Sequence, residues 1–306
     1  MKKSRKLFLA WGIFLTVTFS FVMSVEVYHN SRKEHASSFQ YRILIDKNSI
    51  IENEDKNPQS VSQEEEKPNV EAELYERTKY GYLPKISKSG VSVFNEYSAS
   101  SESGSWKMVR VAVLVDDIDQ TNSAVKLVSQ KITFIVPHYI DNLENVVKII
   151  RENGHEFFIQ MPTQSSISAN KKETVSPFLA NANIDTTLDK LFYLLASTKY
   201  AIGVANVSPT LLTKSKKDMA AIAGVLAQRG LAFVDIEKSN DLLQGVAKKS
   251  SLIYIRATNA FESDGVTKLE DGDIVVIRST NLKSFIKILP ENWLLSPVSV
   301  SVRRQP

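Results

Sequence analysis

From Val109 onward, short apolar runs alternate with longer stretches in which apolar residues recur every three or four positions. Short apolar runs are typical of buried strands, and the longer period is typical of amphipathic helices. The pattern predicts eight strands, at 109–115, 131–136, 156–161, 200–204, 231–235, 252–256, 273–277 and 297–302. It predicts helices at about 141–153, 185–198, 215–229, 240–248 and 281–289. This alternation favours a (β/α) barrel or a doubly wound sheet, and we prefer the barrel.

Two glycines support these helix boundaries. Gly154 and Gly230 each follow a predicted helix directly. Helices often end at a residue with positive φ, which glycine adopts without steric cost. We therefore expect both glycines to be left-handed C-terminal caps.

The N-terminal segment has the pattern of a membrane anchor. Four basic residues before Leu7 precede nineteen uncharged residues, Leu7 to Val25. This length is sufficient to cross a bilayer, and the basic flank favours the cytoplasmic side. We expect an uncleaved signal-anchor helix in a bacterial inner membrane, with the rest of the chain in the periplasm. A cleaved signal peptide is the alternative, with Val22-Met-Ser24 as a loose cleavage site.

The chain divides by composition into four segments. Residues 1–27 are the basic flank and transmembrane helix, and 28–69 are a polar segment that we expect to be a disordered tether. Residues 70–108 are predicted to be an irregular arm and hinge, and 109–306 the main domain. The arm carries Tyr75, Tyr80, Tyr82 and Phe94, which we expect to dock on that domain.

Charge and cysteine content exclude several functions. The net charge of +4 equals the charge of the four basic residues before Leu7, so the remainder of the chain is neutral. A neutral domain has no electrostatic footprint for nucleic acid. The absence of cysteine excludes disulfides, cysteine nucleophiles and thiolate zinc sites.

Two adjacent carboxylates follow the first strand of the main domain. Val109 to Val115 runs directly into Asp116 and Asp117. Parallel strands place functional groups at their carboxyl ends, which makes this pair a candidate catalytic or metal-binding site. The alternative is a helix cap or a turn, because aspartate is common in both.

Other polar residues follow the later strands, where a barrel builds its active site. They are Pro137 with His138, Gln160, Asn206, Asp235 with Glu237, and Arg278 with Ser279 and Thr280. His138 is the histidine that we expect on this side, although a capping or surface role is more common for a lone histidine. His155 begins a strand and belongs at the opposite end. Gln160 and Asn206 have the alternative of a purely structural hydrogen bond.

The motifs of several enzyme classes do not occur. The chain has no His-x-x-x-His spacing for zinc and no Gly-x-Ser-x-Gly elbow for a serine nucleophile. No glycine-rich turn follows a strand, which argues against a phosphate-binding loop. Asp116, Asp117, His138 and Asp235 could form a hydrolytic metal site only if their loops converge.

Six short motifs occur in order between Tyr80 and Ser301. They are Tyr80–Ile86, Val115–Ile118, Gly154–Pro162, Ala201–Asn206, Ala227–Asp235 and Leu294–Ser299. Together they resemble the divergent polysaccharide deacetylases, the branch of the carbohydrate deacetylase superfamily that includes the YibQ-like proteins. The resemblance covers roughly seven tenths of the chain. It implies a distorted (β/α) barrel, here preceded by the transmembrane helix and tether.

The resemblance also implies a metal-dependent hydrolase of N-acetylated sugars, with an aspartate and histidines as ligands and a second aspartate as base. Asp116 or Asp117 would be the first-strand acid. Where metal-binding relatives resemble Leu-His-Leu-Pro-Met, this chain has Gln160 in place of the histidine. Where they resemble Asn-Asn-His-Met-Gly-Ser, it has Val207, and where they carry Gly-His-Pro it has Ile277-Arg-Ser-Thr280. Valine cannot bind a metal, and glutamine is a poor zinc ligand.

Three functional hypotheses follow. The first is a membrane-tethered pseudoenzyme without a metal, whose mouth residues Asp116, Asp117, Gln160, Asn206 and Asp235 bind a glycan or an envelope protein, with His138 beside them. The second is an active deacetylase with zinc or another divalent metal on an atypical site built from Asp116, Asp117 and His138. The third is a structural module of an envelope complex, for which the two aspartates are dispensable.

Overall fold

A computed structural model describes residues 70–100, 108–118, 123–163, 177–208, 210–236, 241–261 and 269–302. These residues belong to one unit, Glu65–Pro306. The predicted anchor at 7–25 and the tether at 28–69 lie outside the described residues. Among the residues that are described, no helix is long and apolar enough to cross a membrane.

A curled parallel sheet forms the centre of the fold. Its strands are β3 (Val109–Asp116), β4 (Thr133–Val136), β5 (Glu156–Gln160), β6 (Gly203–Asn206), β7 (Ala232–Asp235), β8 (Ile253–Arg256), β9 (Asn259–Phe261), β10 (Ile274–Arg278) and β11 (Trp293–Ser296). The strand order is β8-β7-β6-β5-β4-β3-β10-β9, and β11 also pairs with β3. Most of these strands are fully buried, which agrees with their short, continuous apolar runs.

The two ends of this strand order meet in one chain segment, residues 253–261. Its first half, β8, pairs with β7, and its second half, β9, pairs with β10. At the change of partner, Ala257 N donates to Asp235 O and Thr258 N donates to Ile274 O. The sheet therefore curls back on itself and fits a barrel of the deacetylase type.

Helices follow the strands, as the sequence pattern predicts. They are α1 (Val70–Leu74), α2 (Val93–Tyr97), α3 (Leu143–Glu152), α4 (Ile184–Ala196), α5 (Leu211–Lys214), α6 (Lys216–Gln228), α7 (Asp241–Ser250), α8 (Leu282–Ile288) and α9 (Val298–Val302). The predicted cap residues Gly154 and Gly230 have φ of 76° and 66°, so both are left-handed as expected.

Alternate residues of each strand face two different cores. One set, including Leu114, Phe158, Ala205 and Val276, forms a single cluster inside the curled sheet. The other set packs against the surrounding helices. We call the interior of the curled sheet the lumen, and the end where the strands finish the mouth. The alternation decides which strand-end side chains reach the mouth.

The predicted strand at 297–302 is wrong, because these residues form helix α9 and the strand lies earlier, at Trp293–Ser296. Val298, Val300 and Val302 alternate with serines and so imitate a strand. Pro297 instead begins a turn whose carbonyl accepts from Val300 N. The free N–H of Val298 donates to Thr133 Oγ1 at 2.9 Å, and that of Ser299 to Glu156 Oε1 at 3.1 Å. Tertiary contacts thus cap the helix.

The described part of the arm packs on the domain. It contains α1, α2 and an antiparallel hairpin of β1 (Tyr75–Thr78) and β2 (Gly81–Pro84). Tyr75 and Phe94 are buried, and Tyr80 contacts the rings of Phe192 and Tyr193, which confirms docking of three of the four predicted aromatics. Tyr82 is instead 48% exposed.

Candidate functional site

Asp116 and Asp117 differ in orientation, although they are adjacent. Asp116 follows Leu114 by two residues and therefore faces the lumen side of β3, where it is partly buried. Asp117 leaves the strand with φ of 57° and is exposed. Ser279 Oγ donates to the Asp117 carbonyl oxygen at 2.6 Å, which holds this turn against the loop after β10. Only Asp116 is thus placed by the sheet itself to face the mouth.

Arg278 lies beside Asp116. The register of β10 and β3 pairs Arg278 with Asp116, and residues paired in this way point to the same face of the sheet. Arg278 is exposed at the end of β10, two residues beyond Val276 of the lumen cluster. An arginine stays protonated at all physiological pH values. The mouth therefore has a permanent positive charge next to the first-strand acid.

Gln160 and Val207 also face the lumen side. Gln160 follows Phe158 by two residues on β5 and is 5% exposed. Val207 packs directly against the lumen cluster, just past the end of β6. These are the two positions at which the resemblance implies metal-binding histidines. The structure thus brings Asp116, Gln160, Val207 and Arg278 to the same end of the same interior.

His138 follows β4 by two residues and is partly buried. Burial lowers the pKa of His138 to about 4, so its imidazole is neutral at pH 7. In the part of the chain that the structure describes, neither ring nitrogen has a hydrogen-bond partner. A neutral imidazole is the form that binds metals. His155, by contrast, lies at the start of β5, where its Nδ1 accepts from Ile132 N, as expected for the opposite end.

Asn206 and Asp235 lie on the other surface of the sheet. Both are almost completely buried, and Asn206 Nδ2 donates to Asp235 Oδ1 at 3.1 Å. Tyr254 Oη donates to Asp235 Oδ2 at 3.1 Å, and its ring stacks on Phe233 of the helix-facing core. The expected position of both side chains at the mouth therefore needs correction. The physical reason is that they directly follow Ala205 and Val234, which face the lumen, and successive residues of a strand face opposite sides.

The donor set at the mouth does not fit a zinc ion. Asp116 and Gln160 offer oxygen, but Val207 offers no ligand atom and Arg278 brings a positive charge that opposes a cation. Within the described residues, no group of three or more histidine, aspartate or glutamate side chains is placed to hold a metal. What these residues can do is donate and accept hydrogen bonds around a small polar ligand.

Comparison with known proteins agrees with this fold. A family model for divergent polysaccharide deacetylases matches residues 113–268. An uncharacterized protein from Agrobacterium tumefaciens C58 has a similar solved structure, with a TM-score of 0.62 and 22% identity. The match covers 72% of this chain and 99% of that chain, and at this identity it bears on the fold.

A second solved structure is more distant. It is a candidate cellobiose-phosphate cleavage protein from Enterococcus faecalis V583, with a TM-score of 0.36 and 6% identity, and the match covers 56% of this chain and 80% of that one. Among curated proteins, no sequence matches the chain.

Proposed function

Because the chain belongs to the divergent polysaccharide deacetylase family, we propose that it is a non-catalytic member that binds a glycan at the mouth of its barrel. We further propose that residues 7–25 anchor it in the bacterial inner membrane with the barrel in the periplasm. The anchor rests on the nineteen uncharged residues that follow a basic flank.

One observation carries the loss of catalysis. At the lumen-facing positions of the mouth, Val207 and Arg278 accompany Asp116 and Gln160. A deacetylase of this family requires a cation to polarise the acetyl carbonyl and to activate water. Here Arg278 pairs in register with Asp116, so its guanidinium lies beside the acid. Val207 stands where the resemblance implies a metal-binding histidine. The same residues support binding, because they offer charged and neutral hydrogen-bonding groups beside an apolar surface.

The chemistry of the mouth matches a saccharide. The Asp116 carboxylate accepts hydrogen bonds from hydroxyl groups, the Arg278 guanidinium donates to ring or acetamido oxygens, and the Gln160 amide does both. A hydrogen bond that involves a charged group contributes about 1.5–3 kcal/mol. Val207 adds an apolar contact for the carbon face of a sugar ring. The arrangement recognises N-acetylated sugar without transforming it.

Two measurements on the full chain in detergent test this function. The first is acetate release from N-acetylglucosamine oligomers with zinc, cobalt or manganese added. We expect no release above that of the double variant D116A/D117A. The second is cosedimentation with insoluble peptidoglycan, which we expect D116N and R278Q to weaken by roughly tenfold, since each removes a charged partner.

Glu291→Gln provides the matched control for binding. Glu291 is an exposed carboxylate that precedes β11 at the far end of the barrel, so its loss should leave sedimentation unchanged. Sedimentation that D116N and R278Q leave unaltered would contradict glycan binding at the mouth. In that case the third hypothesis, a structural module, becomes the better account.

His138 supports the second candidate function, an active deacetylase with an atypical metal site. Its imidazole is neutral at pH 7 because burial lowers its pKa to about 4, and it follows the strand next to β3. Metal-dependent acetate release that is lost in both D117A and H138Q would establish this activity. Release that H138Q leaves intact would exclude His138 from it.

A further inference from the structure

A cavity of about 480 Å³ lies beside the open edge of β8. Its walls are formed by the first residues of β3 and β10, by strand β8, by Gln244 of α7 and by helix α9. Its lining includes Arg110, Gln244, Tyr254, Arg256, Ile274 and Ser301. We call it the lower pocket. Ligand sites in proteins have volumes of roughly 300–1,000 Å³, so it can hold one or two sugar rings.

The topology of the sheet explains why this pocket exists. Among the described strands, β8 pairs with β7 on one side only. The lower part of β3 pairs instead with β11, through Trp293–Ser296. The gap between the open edge of β8 and the β3–β11 pair forms the pocket, and α9 closes one wall of it. The pocket is thus part of the framework of the barrel.

The residues that line the lower pocket carry a net positive charge. Arg110 and Arg256 line it, and none of the described residues that line it is acidic. Carboxylates around the pocket already have protein partners: Asp235 accepts from Tyr254 Oη, and Asp241 lies 3.5 Å from Arg256. Asp271 Oδ1 accepts from the backbone N–H of Arg110, and Asp273 accepts from the hydroxyl of Thr258 and from Glu270 N. The pocket therefore favours an anion.

Arg256 has donor capacity left for a ligand. Its Nη2 lies 3.5 Å from Asp241 Oδ1, but the Asp241 side chain is 97% exposed, and such exposed pairs are weak. In the described structure the Nε of Arg256 is buried and has no hydrogen-bond partner. Buried donors are normally satisfied, and a guanidinium binds carboxylates in a bidentate manner. The Arg256 side chain is 31% exposed, so its terminal nitrogens, unlike the buried Nε, can be reached by a carboxylate in the lower pocket.

The remaining walls suit a polyhydroxylated ring. Tyr254 presents an aromatic surface, and Ile255, Ile274 and Val302 present aliphatic ones. Gln244, Thr258 and Ser301 add polar groups at the periphery. Few polar groups on a mainly apolar concave surface are the usual composition of a small-molecule site.

From these observations we infer that the lower pocket binds an acidic saccharide of the hexuronic acid class, with its carboxylate on Arg256 and Arg110. This site shares no lining residue with the mouth and does not depend on the function proposed for it. The protein would then contact acidic glycan in the lower pocket and N-acetylated glycan at the mouth.

Isothermal titration calorimetry of the full chain in detergent, with glucuronic acid as the probe, tests the inference. We expect saturable binding that weakens as salt is raised, and none for glucose, which lacks the carboxylate. Arg256→Gln should weaken binding by at least about tenfold, because it removes the bidentate charge. Lys283→Gln, which removes an exposed charge on α8, should leave it unchanged.

A second variant keeps the test valid if Arg256→Gln does not fold. Gln244→Trp adds bulk at an exposed position on the rim and should block binding without altering either arginine. Glucuronate binding that neither variant reduces would overturn the inference, as would the absence of saturable binding. Inorganic phosphate that binds as tightly as glucuronate would overturn the assignment to a saccharide.

Discussion

The Glu156 carboxylate is completely buried at the base of the barrel, where it joins three separate parts of the chain. It accepts from Ala99 N of the arm, from Thr133 Oγ1 of β4, and from both the N–H and the hydroxyl of Ser299 in α9. The distances are between 2.5 and 3.1 Å. Burial nevertheless raises the pKa of Glu156 in the folded state, because desolvation outweighs these hydrogen bonds.

The raised pKa of Glu156 predicts a pH dependence. The stability that this group contributes is fully present below its unfolded pKa of about 4.3 and is lost as pH rises through the folded pKa. Glu156→Gln does not titrate, so wild type should lose stability relative to this variant as pH increases from 4 upward. Urea unfolding across that range measures it, and parallel curves would contradict it.

Removal of the Glu156 side chain tests its structural role. Glu156→Ala leaves several buried donors unsatisfied and should lower the free energy of unfolding by about 3 kcal/mol or more. Glu152→Gln is the control, since Glu152 is exposed and its pair with Lys148 at 3.7 Å contributes little. Equal urea midpoints for the two variants would show that the network does not stabilise the fold.

His138 predicts a dependence of opposite sign. Its folded pKa of about 4 is below the unfolded value of about 6.5, so its contribution is present above pH 6.5 and is lost as pH falls towards 4. His138→Gln should therefore lose less stability than wild type over this range. Urea unfolding at several pH values measures the difference. The pKa of His155 is also lowered by burial, so His155 contributes to the pH dependence that remains in the variant.

At the scale of the element, most strands and helices follow from the sequence pattern. Buried parallel strands are recognisable because they are continuous apolar runs, and Gly154 and Gly230 end their helices as expected. The strand predicted at 297–302 was wrong because the features that decide it, Thr133 Oγ1 and Glu156, are far away in sequence. Local alternation cannot reveal a tertiary cap.

Alternation within strands also limits what the sequence reveals about the site. The sequence pattern predicts where most strands end. It does not predict which residues of a strand point into the lumen and which point towards the helices. Asp116 and Gln160 face the mouth, whereas Asn206 and Asp235 bond to each other in the helix layer. Arg278 was recognisable as a strand-end residue, yet only the β3–β10 register places it beside Asp116.

The close approach of β6 and β7 gives a prediction at this scale. A Cβ on Gly203 would lie 2.1 Å from the carbonyl oxygen of Ala232, so Gly203→Ala should cost roughly 3 kcal/mol or more. Gly224 lies in α6 with nothing within 4 Å of an added Cβ, and Gly224→Ala should stabilise by about 0.5–1 kcal/mol. Thermal unfolding of both variants checks the pair, and a tolerated Gly203→Ala would contradict the close approach of the two strands.

At the scale of the whole molecule, segments from distant parts of the chain pack into the interior of the curled sheet. Phe94 of the arm and Val298 of α9 both pack in the lumen cluster. The mouth at the other end combines an acid, an amide, a valine and an arginine. Our central proposal is that this combination forms a binding site and not a hydrolytic metal site.

Equilibrium dialysis of the full chain against zinc, followed by metal analysis, tests that claim most directly. We expect wild type to retain no more zinc than the D116A/D117A double variant, because Val207 offers no ligand atom and the Arg278 charge opposes a cation. Stoichiometric zinc on wild type that Asp117→Ala abolishes would contradict the account.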